Sequence, residues 1–414
     1  MVASPLVMAE KARARLKSVV TSLRDQPEDV KATALPNEAD VVVTPCEVNQ
    51  LHGTGTLLFR LFPDFSSIIS LRTSNFYDQP STFAAANFCL PMGQSTRPEI
   101  AAWIKWWLHG TRVRRVICFP YLPMDPVVAI VLKELFHAPL CTYIMDDKNV
   151  CAEGISDDLM RELLSKSELR LVISPEMGGA YEKKYGMKFW LMPPLVPEEI
   201  IQRRPCALRP GLSLQRGVLL GNIWGQRWLD RLRETFRHSG YQIDWYCNQK
   251  KPAGLIFDLQ ELEQDGIRLM EPVNEADLPG VLSQYPYAIV PSDTLDGESS
   301  PSVQAIAELS LPSRIPTMLA TSHLPMLVLG HPDTSAARFV RRFELGEVAP
   351  YETSAVQAAL QRLSDGPTQN QIRARAAELT PSFSSLGAAD WIWSSLAAGQ
   401  ACDGRYEKLM AAGV

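Results

Sequence analysis

Apolar and polar positions along this chain fall into two alternating modes. Short runs rich in β-branched and aromatic residues predict strands at 39–45, 67–73, 113–121, 138–147, 169–177 and 188–196. Between them, "PEIAAWIKWWLHG", "PVVAIVLKELF" and "DDLMRELLSKS" repeat their apolar positions at helical spacing. Strands that are apolar throughout, separated by helices, predict a parallel sheet covered on both faces. The stretch "PPLVPEEIIQRRPCALRPG" is dense in proline and polar residues and predicts a linker centred near 205. The alternation then restarts. Strands are expected in "RGVLLGN" (216–222), "YQIDWYCN", "GIRLMEPV", "YAIVPSD" and "LPMLVLG", with helices in "GQRWLDRLRETFRHSG" and "EADLPGVLSQ". Near the end "SAVQAALQRLS" and "NQIRARAAELT" are helical, and "SLGAADWIWSSLAAGQACDGRYEKLM" predicts a final long or broken helix. The expected fold is α/β, with two successive Rossmann-like domains over 37–204 and 205–384. A helical extension (1–36) precedes them, and a C-terminal segment (385–414) follows.

Composition narrows the function classes. With 414 residues, 46% hydrophobic and 21% charged, the chain suits a two-domain globular protein. A net charge of −5 argues against a general nucleic-acid binder. Eight scattered cysteines without a C-x-x-C pair read as free thiols in a reducing compartment. The six histidines offer no H-x-x-x-H metal pair. No apolar run reaches the ~18 residues of a membrane span, and charges occupy the place of a signal peptide's apolar centre. A cytoplasmic protein is expected.

In parallel α/β sheets, ligands bind where a strand's carboxyl end turns into a helix. Four such loops stand out. In "VTPCEVNQLHGTGTLLF", Gly53 and Gly55 permit close backbone approach, and Thr54 and Thr56 add hydroxyl donors at a helix N-terminus. The alternative is a tight turn without a ligand. In "TYIMDDKNV", Asp146 and Asp147 suit a base, a sugar-hydroxyl acceptor, a metal ligand or a helix cap. In "ISPEM", Ser174 and Glu176 resemble a helix cap. In "VLLGNIWGQRWLDRL", Gly221, Asn222, Gln226 and Arg227 suit anionic oxygens or, equally, a solvated surface turn. The fourth is "AELSLPSRIPT", a helix opening at Leu311-Pro312-Ser313-Arg314. An arginine has the wrong sign for a helix N-terminus. It makes sense where free N–H groups of Ser313, Arg314 and Ile315, the Ser313 hydroxyl and the guanidinium together bind a diphosphate. Glu308 then accepts hydrogen bonds from sugar hydroxyls attached to that diphosphate. A separate stretch, "EIAAWIKWWLHGTRVRR", offers Trp103, Trp107 and Arg112, Arg114 and Arg115 either as a peripheral membrane-contacting surface or as a helix packed on the sheet.

Taken in order, these motifs resemble the retaining GT-B glycosyltransferases of the family 4 type. "GVLLGN" resembles the first strand and loop of that family's nucleotide-sugar domain. "GIRLMEPVNEADLPGVLSQYPYAIVPS" resembles the stretch before the donor site, and "LPSRIPTMLATSHLPMLVLG" the segment that wraps the nucleotide. "HGTG" holds the glycine-loop position, and "AADWIWSSL" resembles the helix that crosses back onto the first domain. The resemblance covers most of 39–400. It implies two Rossmann-like domains facing a central cleft and a metal-independent, retaining transfer of a hexose. The donor would be a nucleoside-diphosphate sugar, the acceptor a glycan or lipid-linked molecule, with no further cofactor. It makes Glu308 and Asp146 the catalytic candidates. Gly53, Thr54, Gly55, Asn222, Arg227, Leu311, Pro312, Ser313, Arg314 and Thr317 line the donor, and His52 and Asp147 the acceptor side. The chain departs from the family in three places. Thr317 stands where a second glutamate holds the ribose, Asn222, Gln226 and Arg227 replace an Arg and a Lys, and Met145 replaces a histidine. A sugar-nucleotide epimerase on the same fold and a non-catalytic sugar- or nucleotide-binding protein are the rival readings.

Overall fold

The computed structural model describes residues 35–50, 53–76, 79–90, 95–247 and 255–407. The expected helix within 1–36 and the candidate His52 lie outside them.

The first domain comprises β1 (Glu38–Thr44), α1 (Gly53–Leu61), β2 (Ile68–Arg72), β3 (Ala86–Cys89), α2 (Arg97–Trp107), β4 (Arg112–Cys118), α3 (Met124–Phe136), β5 (Leu140–Ile144), α4 (Asp157–Lys166), β6 (Leu169–Val172), α5 (Pro175–Tyr185) and β7 (Trp190–Leu191). Its strands form one sheet in the order β3-β2-β1-β4-β5-β6-β7, and every pairing is parallel. The central strands are buried on both faces, as the unbroken apolar run Val41-Val42-Val43 requires. One polar residue interrupts that run's start: Asp40 is buried and ion-pairs with both Arg114 (2.8 Å) and Arg115 (2.6 Å).

The second domain comprises β8 (Arg216–Leu220), α6 (Gln226–Phe236), β9 (Gln242–Tyr246), α7 (Leu259–Gln264), β10 (Ile267–Met270), α8 (Leu278–Leu282), β11 (Ala288–Pro291), α9 (Pro301–Leu309), α10 (Arg314–Ser322), β12 (Met326–Leu329), α11 (Ser335–Arg342), β13 (Gly346–Ala349), α12 (Thr353–Leu363) and α13 (Gly366–Leu379). Its parallel sheet runs β10-β9-β8-β11-β12-β13. A last helix, α14 (Ala388–Ala398), returns to the first domain. There Trp393 stacks on Phe62, ring centroids 5.3 Å apart, and lies under the Arg115 guanidinium at 4.2 Å. Two Rossmann-like domains and a returning C-terminal helix is the architecture expected from the sequence.

Several boundaries differ from expectation. The run 169–177 is a strand only to Val172; Pro175 then opens α5, whose cap is Ser174 Oγ accepting from Met177 N at 3.1 Å. The run 188–196 keeps only Trp190–Leu191 as strand, because Pro193 and Pro194 cannot donate to a ladder. The terminal helix stops at Gly399, which takes the left-handed conformation. Strands β3 and β13 and helices α7, α9 and α11 were not anticipated. The segment "GEVA" has neither an apolar run nor alternation, and it becomes a strand only by pairing with β12.

The domains touch through the linker and through α1. Val196 N donates to Phe383 O (2.7 Å) and Ser385 N to Val196 O (2.9 Å), while Gln202 N donates to Ala320 O (2.8 Å). Arg60, in the last turn of α1, ion-pairs with Glu275 of the second domain and donates to Leu195 O at 2.8 Å.

Candidate functional site

Two helix N-termini meet between the domains. A Cβ placed on Gly53, which opens α1, would stand 4.0 Å from Ser313 Oγ, the residue just before α10. Each helix end carries positive partial charge and unfilled N–H groups. Neither first turn contains an acidic residue to offset that charge. The two ends together favour an anion.

Arg314 adds a full charge at the same place. It is 9% exposed, and its Nη2 donates to the carbonyl of Asn222. Its Nη1 is buried without a hydrogen-bond partner, and no carboxylate pairs with the guanidinium among the described residues. Gly221 makes the turn beside it possible. It takes φ +84°, and a Cβ there would lie 3.8 Å from the guanidinium carbon. Burial pulls the Arg314 pKa down to about 10, which leaves it cationic at neutral pH. A buried cation with a spare donor and no counter-ion is costly unless a ligand supplies the negative charge.

The first-domain wall is built on Tyr121, in the middle of the loop after β4. Its hydroxyl lies 2.9 Å from Thr54 Oγ1 and also bonds to the Asp146 carboxylate. Burial, and then the charge of Asp146, push the phenol well above its ordinary range, so it remains a proton donor. Thr54, Tyr121 and Asp146 thus join the loops after β1, β4 and β5 beside the α1 N-terminus. Opposite them, Glu308 near the end of α9 presents its carboxylate to Cys151 Sγ at 3.9 Å, and Ser174 Oγ donates to Leu309 O.

The candidates drawn from the sequence therefore divide. Gly53, Thr54, Gly55, Asn222, Ser313 and Arg314 lie along this junction, with Leu311 and Pro312 leading into it. Glu308 and Asp146 belong to opposite domains, Glu308 meeting the 148–152 loop at Cys151 and Asp146 standing beside Tyr121. Three candidates are placed otherwise. Asp147 is fully buried and accepts from the N–H groups of Asn149, Val150, Cys151 and Ala152 (2.7–3.0 Å) and from the Tyr181 hydroxyl (2.8 Å). Those five donors use its acceptor capacity, so it shapes the 148–152 loop rather than facing an acceptor. Thr317 is 3% exposed, and its hydroxyl donates back to Ser313 O at 3.0 Å inside α10. Arg227 ion-pairs with Glu298 and, at 3.6 Å, with Asp296. The α10 opening also differs: the helix starts at Arg314, two residues beyond Pro312, and Ile315 N donates to Pro312 O at 2.9 Å, so it does not join the free donors.

Tyr121 and Cys151 were missed in the sequence. Tyr121 stands in "CFPYLP", just past a predicted strand end, and the rule that selected the other loops would have reached it. Cys151 gave no signal, because its place depends on how Asp147 folds the loop. The aromatic–basic stretch packs inward: Trp103 is buried, Trp107 stacks on Phe88 at 5.1 Å, and only Trp106 of the three tryptophans is exposed. Among the described residues no helix is long and apolar enough to cross a membrane, and no cluster of three metal-ligating side chains is found.

The class defined by this architecture is the GT-B fold. Among solved structures, the chain is similar to Anabaena Alr3699/HepE in complex with UDP and glucose, with a TM-score of 0.60 and 11% identity over 87% of this chain and 100% of that one. It is also similar to a trehalose-6-phosphate synthase (TM-score 0.55, 10% identity, 87% and 99% covered). A UDP-glucosyltransferase from Polygonum tinctorium aligns with a TM-score of 0.50 at 12% identity, covering 88% and 100%. These neighbours are GT-B glycosyltransferases, and likeness at such identities establishes the shared fold. No family model matches the chain, and no curated protein matches it in sequence.

Proposed function

We propose that the chain is a retaining, metal-independent glycosyltransferase of the family 4 type, moving a hexose from a nucleoside-diphosphate sugar to a glycan. The observation that carries this reading is the buried Arg314 guanidinium, without a carboxylate, where the N-termini of α1 and α10 converge. In this scheme the guanidinium and the helix N–H groups stabilise the departing diphosphate as charge develops on it. Glu308 accepts from the sugar hydroxyls, and Asp146, oriented by Tyr121, binds the acceptor hydroxyl. Closure of the domains excludes water, which would otherwise hydrolyse the donor. Retention draws support from the neighbour whose structure was solved to study glycosyltransfer with retention. The inward packing of Trp103 and Trp107 favours a soluble glycan over a lipid-linked acceptor. Eight free cysteines fit a cytoplasmic location.

A second reading, a nucleotide-sugar-binding protein without transfer, is favoured by two of the three departures from the family pattern: Met145 is 4% exposed, and Thr317 has its hydroxyl committed within α10. The test is incubation with a panel of nucleoside-diphosphate sugars, glycan acceptors and EDTA, followed by proton NMR of the products. The proposal expects a glycoside with the donor's anomeric configuration. An inverted product, or a requirement for a divalent cation, would reject the mechanism; binding with neither transfer nor hydrolysis would establish the second reading.

A further inference from the structure

The loop between β11 and α9 carries an acidic group that faces the arginines of α6. Asp293, fully buried, anchors the loop base: it accepts from Trp228 Nε1 (2.8 Å), Ser299 Oγ (2.5 Å) and Leu295 N (2.6 Å). Two residues with positive φ, Leu295 and Gly297, then turn the chain back over α6. At the tip, Glu298 and Asp296 pair with Arg227, Asp296 pairs with Arg231, and Glu298 reaches Arg231 more distantly, at 3.9 Å. Asp296 also accepts from Thr294 Oγ1 (2.8 Å), and its carboxyl is held below the usual range chiefly by Arg231, so it is ionised. This group lies beside the anion site. Arg227 is in the first turn of α6, directly after the Gly221–Gly225 loop whose Asn222 carbonyl holds Arg314. Tyr351, bonded to Ser292 O at the loop's start, is within electrostatic reach of both Arg231 and Arg314. Of these three guanidiniums, two are matched by the loop's carboxylates and one, Arg314, is left for a ligand.

Resting on the diphosphate reading of this site, we propose that Glu298 is an internal anion that holds Arg227 in the empty protein and yields it to the outer phosphate of a diphosphate. The loop thereby selects nucleoside diphosphates over monophosphates. A monophosphate satisfies Arg314 and the helix ends and gains nothing by displacing Glu298. A diphosphate has a second charged group to offer Arg227. The exchange is cheap because the displaced pair is exposed: Arg227 is 38% and Glu298 57% accessible, and such ion pairs hold weakly in water. Arg231, only 18% accessible, stays with Asp296 and keeps the loop in place. Arg227 Nε, buried without a partner, is a further donor that the carboxylates do not fill.

The test measures affinities of the ADP/AMP, GDP/GMP and UDP/UMP pairs by titration calorimetry for the wild type, Glu298→Gln and Arg227→Gln. For the base that binds, Glu298→Gln is expected to tighten the diphosphate by about two- to fivefold, the range an exposed ion pair allows, with the monophosphate unchanged. Arg227→Gln is expected to bring diphosphate affinity down towards that of the monophosphate. Unchanged or weaker diphosphate binding in Glu298→Gln overturns the inference, as does equal tightening of both ligands, which would mean a general charge effect. If no nucleotide binds either the wild type or Glu298→Gln, the diphosphate reading itself falls and takes this inference with it.

Discussion

His323 shows what one side chain contributes to this architecture. It closes α10 in the left-handed conformation, at φ +53°, and is fully buried. Its Nδ1 accepts from Cys206 N of the linker at 3.1 Å, which requires that nitrogen to be unprotonated. Burial, with the Arg373 guanidinium nearby, lowers its pKa from 6.5 to about 4. A depressed pKa in a cationic group means that the folded state prefers the neutral form. The stability linked to this group is therefore complete above pH 6.5 and is lost as pH falls towards 4. We expect His323→Asn, which tolerates the left-handed cap and keeps an acceptor, to flatten the loss of stability between pH 6.5 and 4 in denaturant melts. An equally steep loss in the variant would show that other groups control it. The contrast with Arg314 is instructive. Both are buried bases on α10, but one has a neutral form that meets a donor and the other stays charged, with Nη1 unpartnered, where two helix N-termini converge.

At the scale of elements, legibility followed whether an element is defined by its own residues or by its neighbours. The strands β1, β5, β11 and β12 announced themselves as apolar runs because both their faces are buried. The edge strand β13 did not. Its first residue, Gly346, takes φ +158°, and a Cβ there would meet Met326 O at 1.9 Å, so glycine is required where a strand pattern would have a branched side chain. We expect Gly346→Ala to destabilise the protein by about 2–3 kcal/mol in urea melts, the upper part of the range for overpacking. A loss below about 1 kcal/mol would mean that β13 can detach without consequence. The candidate site divides in the same way. Gly53, Thr54, Ser313 and Arg314 were legible because strand-end loops and helix openings are local signals. The commitment of Asp147 to its own loop, and of Arg227 to carboxylates some seventy residues away, arises from tertiary geometry that no local spacing records.

For the whole molecule, the repeated strand–helix alternation and the proline-rich linker were sufficient to anticipate two Rossmann-like domains, and the fold is shared with GT-B proteins at 10–12% identity. What joins the domains was less visible. The Arg60–Glu275 pair, the Val196–Phe383 bond and the seating of Trp393 on Phe62 each link residues that are distant in sequence. Their combined effect is to bring the α1 and α10 N-termini face to face, and Arg314 is the group on which the functional reading depends. The most direct measurement is thermal stability of the wild type and Arg314→Met against nucleoside diphosphates in EDTA. Ligand that binds only the folded protein raises the melting temperature by mass action. The account predicts a rise for the wild type with at least one nucleoside diphosphate, and a variant as stable as the wild type alone, since an unpaired buried charge has been removed, that no longer responds. A wild type indifferent to every nucleoside diphosphate, or an Arg314→Met protein that responds as strongly, would contradict it.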